Sequence, residues 1–129
     1  MAQYNERLLK QDISINSSGD NVVITPGSGE MPATFENKAV FIVIDHINFI
    51  AAGAVNVQLK SGKSSGEGTQ ANYGGLYSLA QNQAVVLENA MQNAQDGVIR
   101  LAPNQSFVIN LSSGVQLSGF IRYRLLGVN

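Results

Sequence analysis

Two segments of the chain repeat one pattern, and this repetition constrains the fold more than any other feature. Residues 47–62 read INFIAAGAVNVQLKSG, and residues 108–119 read VINLSSGVQLSG. Each segment has an apolar run, a turn of small residues with one Gly, and a second run with apolar residues at alternate positions. A period of two is typical of a strand with one buried face. The sequence therefore predicts two antiparallel hairpins in one short domain, as in a β-sandwich.

The turn of the first predicted hairpin sets its register. A loop of three residues, 51–53, supplies a Gly for the left-handed position of such a turn. It pairs Phe49 with Val55 and Ile47 with Val57, so that apolar side chains meet on one face. The pattern therefore places Ile47 and Phe49 toward the core.

The same alternation has a consequence for the earlier part of the strand that begins at residue 39. If Phe49 faces the core, the apolar residues nearer the start of the strand face outward. These residues are Val40, Ile42 and Ile44. Each is worth roughly 1.5–3 kcal/mol when buried, so something must cover them. We take them as a candidate self-association surface, with cover by another part of the same chain as the alternative.

Turn signals recur at intervals of about ten residues, and no long helix is indicated. The fold class predicted is all-β, a two-sheet antiparallel β-sandwich of jelly-roll type with about eight strands. A chain of 129 residues fits one such domain, which we place at residues 13–129. Residues 1–12 are predicted to be an N-terminal arm that becomes ordered only when another surface receives it.

Two further segments carry candidate binding residues. The apolar residues of the arm, Tyr4, Leu8 and Leu9, are a candidate docking element for a larger assembly. Residues 61–75 are rich in Gly and Ser, which is typical of a flexible loop. Tyr73 and Tyr77 near this loop are a candidate ligand site, although such residues more often seal a core.

Composition argues against several classes of partner. Charged residues make up 13% of the chain, about half of the usual share of about 25%. The net charge of -1 offers no field to attract nucleic acid or an anionic membrane, so neither is expected as a partner. Asn, Gln, Ser, Thr and Gly must supply the polar surface, which can enter protein contacts without burying unpaired charge. Residues 1–12 lack the apolar core of a signal peptide, so no secretory route is expected.

The sequence offers little material for catalysis. His46 is the sole His, and Asn48 stands where a metal-binding His-x-His strand would need its second ligand. The chain has no Cys, and His46 has no carboxylate partner on its face of the strand. Arg122 and Arg124 form a short basic stripe beside Phe120, which we interpret as a solvated edge. We therefore expect no catalytic residue, no metal and no cofactor, and predict that the protein is not an enzyme.

Two segments together resemble a known family. Residues 46–62 (HINFIAAGAVNVQLKSG) and 104–123 (NQSFVINLSSGVQLSGFIRY) are similar to small jelly-roll virion proteins of tailed bacteriophages, which decorate or cement the capsid. The resemblance runs from residue 39 to the C-terminus, is looser over residues 61–101, and includes no functional signature residue. It implies a structural protein that binds the major capsid protein and forms a homotrimer or homodimer. It also implies a place on the capsid surface of the virion, with assembly in the cytoplasm of the host bacterium.

Two other functions remain open. The first is a receptor- or carbohydrate-binding β-sandwich module of a phage fibre or tail, which would use Tyr73, Tyr77 and the Gly/Ser-rich loop. The second is a bacterial adhesin or pilus-like subunit, which the absence of a signal sequence disfavours.

Overall fold

The computed structural model describes residues 4–26, 39–62, 69–88 and 97–128. These residues form nine strands and no helix. The strands are β1 (Tyr4–Ile15), β2 (Gly19–Ile24), β3 (Ala39–Ala51), β4 (Val55–Gly62), β5 (Thr69–Leu79), β6 (Ala84–Glu88), β7 (Ile99–Arg100), β8 (Ser106–Leu111) and β9 (Leu117–Val128).

The strands form two sheets that are antiparallel throughout. Sheet I has the order β1-β9-β3-β6, with β7 also paired to β3, and sheet II has the order β2-β8-β4-β5. Strands β1 and β9, β2 and β8, β3 and β6, and β4 and β5 pair as the successive rungs of one long hairpin. Pairing of β9 with β3 and of β8 with β4 rolls this hairpin into two layers. This is jelly-roll connectivity, and the predicted fold class is confirmed.

The two predicted hairpins are wrong, because each repeated segment is divided between the sheets. Strands β3 and β9 lie in sheet I, whereas β4 and β8 lie in sheet II. The segments pair with each other instead, with Phe49 opposite Gly119 and Val57 opposite Leu111. Alternation reports which side chains are buried, and both arrangements bury the same ones. It cannot report which strand lies alongside.

The turns of the repeated segments are corners that carry the chain between sheets about 10 Å apart. The backbone N–H of Ala52 donates to the carbonyl of Gln116 (2.9 Å), and that of Ser112 donates to the carbonyl of Asn56 (3.0 Å). The two corners therefore lie side by side at one end of the sandwich. The repeated sequence pattern reflects two equivalent corners of a jelly roll.

Of the predicted N-terminal arm, residues 1–12, residues 4–12 are the first nine residues of β1, and residues 1–3 lie outside the described residues. This strand pairs with β9 without a register shift, from Tyr4 opposite Val128 to Ile15 opposite Leu117. No domain boundary falls at residue 12, which lies within the ladder. Ile13 is buried, and Leu9 packs against the core from the same face of the strand. A segment too short to form a stable helix is thus held by a neighbouring strand.

The core fills the space between the sheets and includes the row predicted to face outward. Val40, Ile42 and Ile44 are 8%, 0% and 0% exposed and belong to the core cluster. The reason is a β-bulge: Ile44 is opposite Tyr123 and His46 is opposite Arg122, which leaves Asp45 without a partner in this ladder. The extra residue reverses the alternation. These three residues are covered within one chain and offer no self-association surface.

Candidate interaction surfaces

The outer face of sheet I carries a cluster around the sole His. The rings of His46 and Phe120 stack with centroids 5.0 Å apart and an interplanar angle of 15°. The Lys10 Nζ lies 4.8 Å from the centroid of Phe120. Because β1, β9 and β3 are adjacent, a cation, a phenyl ring and an imidazole meet across three strands.

Hydrogen bonds indicate which tautomer the neutral His46 ring adopts. The Phe120 N–H donates to Asn48 Oδ1 (3.3 Å), and this contact orients the amide so that its Nδ2 lies 3.0 Å from His46 Nε2. An amide nitrogen only donates, so Nε2 accepts and the neutral ring carries its proton on Nδ1. Nδ1 is buried and has no hydrogen-bond partner among the described residues.

The described neighbours of His46 do not include the partners that a catalytic His needs. A catalytic His requires a nucleophile within reach and a group that orients the ring toward it. The observed neighbours of His46 are an amide and an aromatic ring. Within the described ranges, no group of three His, Cys, Asp or Glu residues could hold a metal ion.

An open groove of about 540 Å³ lies beside this cluster, over β9, β3 and β6. Phe120 lines it together with Ile50, which is 43% exposed, and Val86, which is 60% exposed. Asn48, the partner of Val86 in the β3–β6 ladder, also lines it. We call this feature the sheet I groove. It presents three large apolar side chains on the surface of the sandwich.

Ionic groups near the bulge are paired with each other. The Arg124 guanidinium forms a fork with the Asp45 carboxylate, through Nε to Oδ2 (2.9 Å) and Nη2 to Oδ1 (3.0 Å). Arg100 lies over the Phe41 ring, 4.7 Å from its centroid. Arg122 is exposed, so the predicted stripe of two arginines is divided into one paired and one solvated residue. The fork neutralises Asp45 and Arg124, whereas Arg122 keeps an exposed charge on the same face of β9.

The outer face of sheet II is held by a polar network. Lys60 Nζ lies 2.8 Å from Asp20 Oδ1, and the Asn110 amide donates to the same oxygen at 2.7 Å. The hydrogen bond from Lys60, and after it the one from Asn110, lowers the pKa of Asp20 below its usual value. This face therefore differs from the aromatic and apolar face of sheet I.

The two tyrosines predicted to lie in a ligand loop lie on strand β5. Tyr73 and Tyr77 are half-buried and pack against the core. The Tyr77 ring meets Phe49 edge-on, with centroids 6.2 Å apart, and the Tyr73 hydroxyl donates to Ser61 Oγ (3.3 Å). Residues 63–68 of the predicted loop lie outside the described residues.

Both tyrosines nevertheless border one cleft. It has a volume of about 430 Å³ and opens between the edges of the two sheets, with Leu87 of β6 and Arg100 of β7 on its other side. The structure thus brings Tyr73 and Tyr77 together, as walls of a cleft.

The predicted docking element does not form one patch. Leu8 is 73% exposed on the outer face of β1, whereas Leu9 faces the core. The side chain of Tyr4 lies outside the described part of the chain. Leu8 and Leu9 are therefore separated by the pleat of the strand.

Sequence reasoning missed the sheet I groove, although one signal pointed to it. The strand around residues 84–88 reads AVVLE, so Val85 and Val86 are adjacent and face opposite sides. Apolar residues on both faces of a short strand indicate that the second face is also covered or used for contact. The same holds for Ile50, which follows Phe49.

Comparisons with known proteins leave the family open. No protein-family model matches the chain, and no curated protein matches it. One solved structure is of Bacillus endospore appendages that form disulfide-linked pili. The alignment with it covers 97% of this chain and 89% of the solved chain. The identity is 8% and the TM-score is 0.45, and a similarity at this level supports no argument about function. In the described ranges, no helix has the length and apolar character needed to cross a membrane.

Proposed function

We propose that this protein is a non-enzymatic virion structural protein, a capsid decoration or cement protein that binds and stabilises the shell of a tailed bacteriophage. Jelly-roll connectivity supports the proposal together with the resemblance of residues 46–62 and 104–123 to such proteins. The observation that carries it is the sheet I groove, which exposes Ile50 and Val86. Exposed apolar groups of this kind are suited to burial against another protein.

In this mechanism a segment of the major capsid protein occupies the sheet I groove. Asp45 and Arg124 already neutralise each other near this face. Docking therefore buries few charges without a partner. Each copy binds weakly, and copies joined as a homodimer or homotrimer gain from effective concentration. The proposed location is the capsid surface, after assembly in the host cytoplasm. Cofactors, nucleic acid and membrane have no part in this proposal.

The test is cosedimentation of the purified protein with undecorated capsids of the phage that encodes it. Val86→Asp places a carboxylate in the contact and is expected to reduce capsid occupancy at least about tenfold, since burying an unpaired charge costs more than the 1.4 kcal/mol of one decade. Val22→Asp is the matched control, because Val22 is 41% exposed on the outer face of sheet II. Equal occupancy for both variants, or no binding by the unaltered protein, would contradict the proposal.

A receptor- or carbohydrate-binding module of a fibre or tail is the second candidate. The cleft bordered by Tyr73, Tyr77 and Arg100 favours it, because aromatic rings beside a cation can contact a sugar. Glycan-array binding that is lost in Tyr73→Ala and kept in Val86→Asp would favour this function over decoration. If the protein binds no glycan on the array, the carbohydrate-binding function is excluded.

A further inference from the structure

Strand β1 forms a long free edge of sheet I. It pairs with β9 on one side, and no other described strand pairs with it. The twelve residues YNERLLKQDISI contain no Pro, and the ladder has no bulge. Proteins usually protect such an edge with short strands, Pro, bulges or charges, because unpaired N–H and C=O groups are a template for another chain.

The described charge nearest the middle of this edge faces away from it. Lys10 extends its Nζ over Phe120 of β9, which is the side opposite the free edge. Leu8, two residues earlier on the same face, is 73% exposed and is the most exposed large apolar residue of the described part. Among the described side chains of β1, this edge therefore presents the apolar Leu8 and the exposed carboxylate of Asp12 beside its backbone donors and acceptors.

We propose that β1 pairs antiparallel with β1 of a second copy of this chain, with the two-fold axis at Leu8. The two copies of sheet I then form one continuous sheet through β9-β1 and its symmetry mate. The contact is isologous and closes as a dimer. The inference deepens the self-association part of the proposed function, and it holds whether or not a capsid is the partner.

Side-chain complementarity selects this register. An axis at Leu8 places the two Leu8 residues opposite each other and places Glu6 opposite Lys10 twice, once on each side of the axis. Directly opposite charges of unlike sign stabilise an antiparallel pair, whereas like charges destabilise it. The axis at Leu8 therefore combines burial of the exposed Leu with two favourable charge pairs, for which Lys10 turns its Nζ from the Phe120 ring toward the second copy.

Neighbouring registers lack this combination. An axis at Arg7 or Lys10 sets like charges against each other at the axis itself. An axis at Leu9 places Glu6 opposite Asp12, and an axis at Gln11 leaves Leu8 opposite a Ser. Moving the axis by one residue in either direction thus opposes like charges.

The absence of Cys from the chain permits a direct test by cross-linking. Residues directly opposite in an antiparallel pair have Cα atoms about 4.5–5.5 Å apart, within the range of about 4.4–6.8 Å that a disulfide spans. Purified Leu8→Cys should therefore become mostly covalent dimer on mild oxidation, as seen on a non-reducing gel. Ser14→Cys, exposed on the same face of β1, lies beyond the end of the proposed ladder and should stay monomeric.

A charge exchange provides a second measurement that does not depend on thiols. Lys10→Glu should raise the dissociation constant of the dimer about tenfold in sedimentation equilibrium, since two like-charge pairs replace two favourable ones. Adding Glu6→Lys should restore most of the affinity. An unaltered protein that is monomeric at tens of micromolar, equal cross-linking by Ser14→Cys, or no rescue by the exchange would overturn the inference. None of these readouts involves capsids, so failure of capsid binding leaves the inference standing.

Discussion

The two halves of β3 look alike in sequence and differ in which residues they bury. Before Asp45 the even-numbered Ile42 and Ile44 face the core, and after it the odd-numbered Ile47 and Phe49 do. One extra residue in the β3–β9 ladder separates the two phases. Alternation thus identifies the buried face within a run, while the phase between runs depends on the partner strand.

The bulge is held by a group of β9 on one side and by residues 97–98, which precede β7, on the other. Arg124 of β9 binds the Asp45 carboxylate on one side. On the other side the backbone N–H of Val98 donates to the Ile44 carbonyl at 2.7 Å. Gly97 approaches so closely that a Cβ would overlap the Ile44 carbonyl oxygen. These contacts replace the ladder bonds that a regular strand would make there.

The largest change in the free energy of unfolding is expected when a residue of β3 before the bulge is compared with one after it. Ile44→Ala removes a fully buried side chain and should lower the free energy of unfolding by about 2–5 kcal/mol. Ile50→Ala, on the same strand but 43% exposed, should cost less than about 1 kcal/mol. Urea denaturation of both variants measures the difference. Equal losses would show that residues before the bulge are not sealed in the core.

The next effect concerns the segment that docks on the bulge. Gly97 has φ +56, and Ala there would meet both a left-handed backbone and the Ile44 carbonyl. Gly97→Ala should lower the free energy of unfolding by about 1–3 kcal/mol. Gly75→Ala is the control, because a Cβ there meets nothing within 4 Å, and thermal unfolding of the pair is the measurement. A neutral Gly97→Ala would mean that this docking contributes little.

A smaller effect is expected from the ion pair at the bulge. Arg124→Ala leaves the partly buried Asp45 carboxylate without its fork and should cost about 1–2 kcal/mol. Arg122→Ala, exposed on the same face of β9, should change stability by less than about 0.5 kcal/mol. If both variants unfold at the same denaturant concentration, the bulge does not depend on this pair.

The smallest effect is expected from the ion pair on sheet II, where Asp20 of β2 meets Lys60 of β4. Lys60 lowers the pKa of Asp20 in the folded protein, so the pair stabilises the fold above the unfolded pKa of about 3.9. That contribution is lost as pH falls through the lower folded pKa. Asp20→Asn should therefore reduce stability by less than about 1 kcal/mol at pH 7, and this reduction should shrink as pH falls through the lowered pKa of Asp20. A reduction that stays the same in acid would show that the charge of Asp20 is not its cause.

Some features of the surface could be predicted from the amino-acid sequence, and others could not. In β4 the pattern shows which side chains point outward, because Asn56 is exposed and Gln58 and Lys60 are half-exposed between the buried Val55, Val57 and Leu59. The sheet I groove needed the pairing of β3 with β6, which brings Ile50 and Val86 to one face. These two residues are 36 positions apart in the sequence, so no local pattern connects them.

The sequence by itself determined the all-β class and most of the core of β4 and β9, because a period of two is a local property of an extended chain. Only the tertiary structure decided that β1 joins sheet I, that the repeated segments pair with each other, and that Asp45 bulges. Each of these depends on which strand supplies the opposite hydrogen bonds. That choice follows from closing two sheets over one core, a condition on the whole chain.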